Sequence, residues 1–219
     1  MGATNTAEKR TNFYSLKAKT SESDPTPFFG KNEKTNNGWE VTDKFNAMDG
    51  YLTKIEHSSY EHLGETKTKL KMTLNDADGT INSLESNFNN LVYSLLNSLL
   101  GCENINFLEM NVWLGKSKIG MDGKESKRYP SIAVKNNGVE AKWFLEYVNT
   151  PKAAKVSVGK KKVTDDTEVI EFWKKKIDEI NGKLSAMPIS STPQTNNNGE
   201  KTPPNLDINF DNDSKDLPF

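Results

Sequence analysis

KTKLKMTL, residues 67–74, alternates without a break. Lys67, Lys69 and Lys71 take the odd positions, and Thr68, Leu70, Met72 and Leu74 the even ones. Period two is the repeat of a half-buried β-strand, with lysines on one face and apolar groups on the other. The chain around it is read from this strand outward. Towards the N-terminus, HLGE at 62–65 is a turn, Tyr51–Ser59 a strand, and Asp49-Gly50 another turn. Trp39, Val41 and Phe45 mark a short first strand over 38–45. Towards the C-terminus, NDADG at 75–79 ends the strand. Ile81, Leu84, Phe88, Leu91, Val92, Leu95, Leu96 and Leu99 then recur at three- and four-residue spacing. That spacing predicts a helix over 80–101, capped by Asp78 or Thr80 and stopped by Gly101, with a stripe wide enough to plug a core.

Strands resume with NINFLEMNVWL at 104–114, where Leu108, Met110, Val112 and Leu114 oppose Phe107, Glu109, Asn111 and Trp113. Residues 115–128 form a loop with five basic and two acidic groups. Tyr129–Lys135 is a strand, Asn136-Asn137-Gly138 a hairpin turn, and Val139–Val148 its returning partner. Residues 152–162 hold five lysines and no acid. A second helix starts near Thr164 with Asp165 and Glu168 as a capping box, and carries Ile170, Trp173, Ile177, Ile180 and Leu184. Its stripe suits packing on the body or dimerisation. The fold class is therefore mainly β with one or two helices. The order of three strands, helix and two strands is that of an OB-fold, a five-stranded barrel with a helix between strands 3 and 4. Some other small sheet is the alternative.

Domain organisation follows composition. Residues 1–37, with DPTPFFG at 24–30, read as an extended, partly flexible N-terminal arm. Residues 38–187 are the folded domain. Residues 188–205 carry four Pro and four Asn and cannot bury enough apolar area to order themselves, so they are a linker. Residues 206–219, LDINFDNDSKDLPF, are an acidic tip. The 219-residue chain has a net charge of −1, which disfavours nucleic-acid binding by the whole surface. The charge is divided: residues 191–219 hold two basic and five acidic groups, and residues 1–190 hold 27 and 25. One cysteine, Cys102, and two histidines, His57 and His62, exclude a disulfide framework and a cysteine-rich zinc site. No metal or other cofactor is expected. No apolar run is long enough for a membrane span and no secretory core opens the chain, so a cytoplasmic protein without membrane contact is expected.

Enzyme motifs are missing. Gly115 to Gly120 has P-loop spacing, but Met121 and Asp122 stand where Lys and Ser/Thr are required. The chemistry that stands out is binding. Lys67, Lys69 and Lys71 are either a phosphate-tracking face or a solvated edge that discourages aggregation. Phe107, Trp113, Tyr129 and Phe144 fall opposite apolar stripes, beside Lys116, Lys118, Lys127, Arg128 and Lys142. Aromatics mixed with basic groups off the core face suit base stacking along a charged groove, although each alone reads more readily as packing and only the group carries the stacking reading. In the tip, Asp211, Asp213, Asp216, Leu217, Pro218 and Phe219 suit capture by a basic pocket on a partner.

The terminal Asp-Leu-Pro-Phe after a Pro/Asn/Thr linker resembles the acidic tip of bacterial-type and phage single-stranded DNA-binding proteins, which pair an OB-fold with such a tip. The resemblance implies a non-catalytic protein that coats single-stranded DNA without reading sequence and recruits replication, recombination or repair enzymes through the tip. It implies a location in the cytoplasm, that of the host if phage-encoded, and is compatible with a monomer or an oligomer. The N-terminal arm, the 80–101 helix and the 115–128 loop depart from the short bacterial pattern and look more like a phage or otherwise divergent relative. The rivals are a virion or surface protein with a β-rich carbohydrate- or protein-binding domain, and a recombination annealing protein.

Overall fold

The computed structural model describes residues 11–19, 21, 24–117, 128–146, 149–158 and 161–185. The linker and tip of the sequence reading, with Lys118, Lys127 and Asp211 to Phe219, lie outside the described residues. The architecture is mainly β. Strands β1 (Thr11–Lys17), β2 (Phe28–Thr35), β3 (Gly38–Phe45), β4 (Ala47–His62), β5 (Glu65–Asn75) and β6 (Ile81–Asn87) precede helix α1 (Asn90–Leu100). Then come β7 (Phe107–Leu114), β8 (Pro130–Asn136), β9 (Val139–Glu140), β10 (Ala154–Val158), β11 (Lys161–Asp165) and helix α2 (Thr167–Ser185).

Nine strands form one mixed sheet in the order β3-β2-β1-β6-β5-β4-β7-β8-β9, and β10 and β11 pair only with each other. The sheet is open, so the expected closed five-stranded barrel is not formed. The reason lies in the N-terminal residues read as an arm. Thr11–Lys17 and Phe28–Thr35 are strands, and they pair: β1 lies parallel to β6, from Thr11 opposite Ile81 to Ser15 opposite Glu85, and takes the edge that a closing strand would need. The sheet nevertheless curls. β3 at one edge passes through Asn46 into β4, five strand spacings away in the pairing order. On a flat sheet that separation is about 24 Å, whereas the two residues from Phe45 to Ala47 span at most about 7 Å. Only a sheet folded back on itself allows both, and β2 accordingly lies near β4 and β7.

The inner face of the curl holds the core: Phe29, Leu52, Ile55, Leu70, Met72, Leu74, Leu84, Leu108 and Met110, plugged by Leu91, Val92, Leu95, Leu96 and Leu99 of α1. Val169, Trp173, Ile177 and Ile180 of α2 complete it, so the stripe of that helix packs on the body. α2 also has a specific task. β4 bonds to β7 only over Ala47–Tyr51, so its second half has β5 on one side alone. Asn181 of α2 accepts from the Ile55 N–H at 3.2 Å and donates to the Ile55 carbonyl, satisfying a stretch of that open edge.

The first helix is shorter than its periodicity predicts. Residues 81–87 are a strand, and the cap is Asn89, not Asp78 or Thr80. Its side chain accepts from the Leu91 and Val92 N–H groups at 2.9 and 3.1 Å. The Asp76–Thr80 turn, in which the Asp76 N–H bonds the Thr80 carbonyl, returns the chain as a hairpin and registers Met72 against Leu84. Asp49-Gly50 is not a turn either. Gly50 lies inside β4 with φ +151°, and a Cβ there would approach the Leu74 Cβ to 3.1 Å. Both hairpin turns read from sequence stand, with Leu63 and Asn137 at φ 52° ahead of Gly64 and Gly138. The strand expected over 139–148 stops at Glu140.

Candidate nucleic-acid interface

The two-residue turn at Leu63-Gly64 sets the register of the β4–β5 hairpin, opposing Tyr60 to Lys67, Ser58 to Lys69 and Glu56 to Lys71. β6 adds Glu85 opposite Lys71 and Asn87 opposite Lys69. The three lysines thus stand on the outer side of the sheet, in a row between two strands that carry glutamates. Each has a carboxylate within reach: Lys67 with Glu65 at 3.5 Å, Lys69 with Glu85 at 3.5 Å, and Lys71 with Glu56 at 3.8 Å. The Glu56 carboxyl is held below its ordinary range by a hydrogen bond from Lys54, with Lys71 adding to the effect. The Lys69 ammonium also lies 4.8 Å from the centre of the Tyr60 ring. The row is a charge lattice near neutrality and not a bare cationic stripe. Exposed pairs of this kind contribute little, so an incoming phosphate can replace a carboxylate at small cost.

On β7 the expected alternation holds. Leu108, Met110 and Val112 are buried, while Phe107 and Glu109 lie half-buried and Trp113 exposed on the other side. Tyr51, opposite Phe107 in register, meets its ring edge-on at 5.0 Å. At the far end of the hairpin Trp113 opposes Ser131 and Leu114 opposes Pro130. The Gly115 N–H bonds the Tyr129 carbonyl at 2.9 Å, and Arg128 Nε donates to the Gly115 carbonyl at 3.1 Å. These bonds bring Trp113, Tyr129, Arg128 and Lys116 together at one end of the β7–β8 hairpin. Trp113 is 42% and Tyr129 43% exposed, enough ring for a base to stack on.

Lys142 and Phe144 are elsewhere. Their assignment to the sheet face rests on a strand over 139–148, and residues 141–146 are not strand. The buried Asn97 of α1 donates from Nδ2 to the Leu145 carbonyl at 2.9 Å and accepts from the Leu145 N–H at 2.8 Å. The segment is thereby drawn onto the C-terminal end of α1, where Phe144 lies 5.8 Å from the Lys183 ammonium. The structure therefore separates these two residues from the lysine row and the β7–β8 aromatics.

Tyr51 and Tyr60 lie beside the candidate residues and were not singled out from the sequence. The signal was present: the turn at 63–64 fixes the β4 partners of all three lysines. Phe13 and Trp39, exposed and in edge-on contact at 5.1 Å, form a further aromatic pair on β1 and β3. Among the described residues no three His, Cys, Asp or Glu side chains converge as a metal-ligand set, and no helix is long and apolar enough to cross a membrane. No protein-family model matches the chain, and neither curated proteins nor solved structures include a significant match.

Proposed function

We propose that this chain is a sequence-tolerant single-stranded DNA-binding protein. The observation that carries the reading is the grouping of Trp113, Tyr129, Arg128 and Lys116 at one end of the β7–β8 hairpin, with the Tyr51–Phe107 pair at the other end of β7. Rings of this kind stack bases without choosing among them, and neighbouring cations meet the phosphates. The pairing order β6-β5-β4-β7-β8, with α1 between β6 and β7, supports an OB-type frame. In this reading the frame is left open at its β6–β8 seam because β1, β2 and β3 extend the sheet from β6. Residues 206–219 would recruit replication or recombination enzymes, with Phe219 and its carboxylate as the anchor, in the cytoplasm of the cell or of a phage host. Neither the virion reading nor the annealing-protein reading draws support from a specific feature of the described residues.

The test is equilibrium binding to fluorescent oligo-dT, duplex and RNA of one length across a salt series. Single-stranded DNA is expected to bind best. Neutralising about four phosphates gives a slope of log K against log salt of about −3, at about −0.7 per phosphate. Equal affinity for duplex and single strand, or no salt dependence, overturns the reading.

A further inference from the structure

The lysine row on the outer side of β5 is balanced by Glu56, Glu65 and Glu85. The same side of the sheet continues past β6 onto β1, β2 and β3, and there the charge is sorted differently. Tyr14, Leu16 and Phe29 face the core, so alternation puts Phe13, Ser15 and Lys17 of β1, and Phe28, Gly30, Asn32 and Lys34 of β2, on the outer side. Register carries that side onto β3, with Lys44 opposite Gly30, Val41 opposite Asn32 and Trp39 opposite Lys34. The acids of these strands take the inner side. Lys31, opposite Tyr14, pairs with Glu33 at 2.9 Å, and Glu40 and Asp43 stand opposite Glu33 and Lys31. The outer side of β1–β3 therefore presents aromatic rings and lysines with no carboxylate of its own.

The surface is built and open. Phe13 and Trp39, in edge-on contact, are 39% and 59% exposed. A Cβ at Gly30 would come within 2.9 Å of Val41 Cγ1 and 3.0 Å of a Phe28 ring carbon, so the missing side chain lets Phe28 and Val41 close over the strand. The Lys44 ammonium lies 4.9 Å from the centre of the Phe28 ring. Lys17, Lys34 and Lys44 are all exposed. Among the described residues none of the three has a carboxylate at ion-pair distance. A phosphate arriving here meets cations that give up no protein partner, unlike those of the 67–71 row. The two surfaces are continuous: Lys44, Gly30, Ser15, Glu85 and Lys71 follow one another across β3, β2, β1, β6 and β5. Four strand spacings, about 19 Å, separate the first from the last along the sheet.

We propose that the outer side of β1–β3 is a single-stranded DNA site, in which Trp39 and Phe13 stack bases while Lys17, Lys34 and Lys44 hold phosphates, and that it supplies most of the charge-dependent part of binding. The inference rests on the single-stranded DNA reading above and gives it a surface apart from the β7–β8 hairpin. Rings beside unpaired cations are what an unstacked strand needs. A second copy of this chain suits the patch less well, because a twofold contact sets the same lysines against each other.

The test uses the full chain in two variants, one combining Lys17→Gln, Lys34→Gln and Lys44→Gln, the other Trp39→Ala. Binding to oligo-dT is followed by anisotropy across a salt series, beside a thermal melt and sedimentation velocity. If three phosphates lose their partners, the slope of log K against log salt falls in magnitude by about 2, and affinity at about 0.1 M salt drops about 100-fold. Trp39→Ala should weaken binding about 5- to 100-fold with its slope unchanged, and Trp39→Phe, which keeps a ring, should retain most of the affinity. The melting temperature should stay within about 2 °C, as expected for exposed substitutions. Independently of any variant, ultraviolet cross-linking of oligo-dT to wild-type protein, mapped by mass spectrometry, should mark Phe13 or Trp39. Wild-type affinity and slope in both variants, with no cross-link on β1 or β3, overturns this site and leaves the function reading intact. A wild type that binds no oligo-dT overturns both. Variants that bind oligo-dT normally but sediment as a smaller species overturn the site in favour of a contact between copies.

Discussion

Asn97→Ala tests how the segment after β9 is held. The Asn97 side chain is 4% exposed and forms a ring of two hydrogen bonds with the backbone of Leu145, while its own carbonyl accepts from Phe144 at 3.3 Å. Truncation removes two hydrogen bonds, each worth about 0.5–1.5 kcal/mol net, and leaves the Leu145 N–H and carbonyl without their protein partner. Water reaches part of the gap, so we expect a loss of about 2–4 kcal/mol. That is a large share of the roughly 5–15 kcal/mol typical of a folded domain. Urea denaturation reads it as a lower midpoint at unchanged slope. Asn97→Asp separates the hydrogen bonds from simple volume. One carboxylate oxygen still accepts from Leu145, but the other faces a carbonyl, so burial and this repulsion raise the folded-state pKa of the new acid above its unfolded value. A raised acid pKa means that stability is greatest when the group is protonated and is lost as pH rises. The variant should approach wild type below about pH 4 and fall furthest behind at neutral pH. An alanine variant that loses less than about 1 kcal/mol, or an aspartate variant indifferent to pH between 4 and 7, would refute the clamp.

Trp113→Ala should weaken oligo-dT binding by about 1–3 kcal/mol, whereas Phe144→Ala, placed against Lys183 at the end of α1, should change it less than about twofold; anisotropy titrations of both decide. Met72→Ala, at a fully buried position on β5, should cost about 2–5 kcal/mol in urea, against about 0.5 kcal/mol for Lys69→Ala on the opposite face. Burial pushes the Cys102 thiol up from its ordinary range, so a chromogenic disulfide reagent should label it only on unfolding, and rapid labelling of native protein would contradict its placement. Deleting 206–219 should leave DNA affinity unchanged or raise it, by removing acids that compete with phosphate. Phe219→Ala alone should abolish pull-down of replication enzymes, and full recruitment by that variant would reduce the tip to a solubilising tail.

Local period and turn chemistry were enough for the strands that form one half of the sheet. In β5 and β7, side chains alternate between a wet and a dry face, and only that alternation survives folding with the lysines and glutamates out of the core. Leu63-Gly64 and Asn137-Gly138 required left-handed backbone, so their hairpins and registers were legible as well. The spacing of Ile170, Trp173, Ile177, Ile180 and Leu184 likewise placed α2 before any partner was known.

The remainder was decided between elements. Ile81, Leu84 and Phe88 fit a helical stripe as well as Leu91 to Leu99 do. Ile81 and Leu84 became strand because β5 and β1 offered hydrogen-bonding edges on both sides, and spacing along one segment does not contain that offer. Residues 141–146 alternate like a strand, yet Asn97, some 48 residues earlier in the chain, supplies their backbone partners. The lysine row looked like a cationic stripe until Glu56 and Glu85 arrived beside it on neighbouring strands. Closure of the sheet depended on which strand reached the edge of β6, and β1 took it. Each of these outcomes is a pairing of groups far apart in the sequence. A segment's own pattern fixes which of its faces is dry, but the groups it pairs with become its neighbours only when the whole chain has folded.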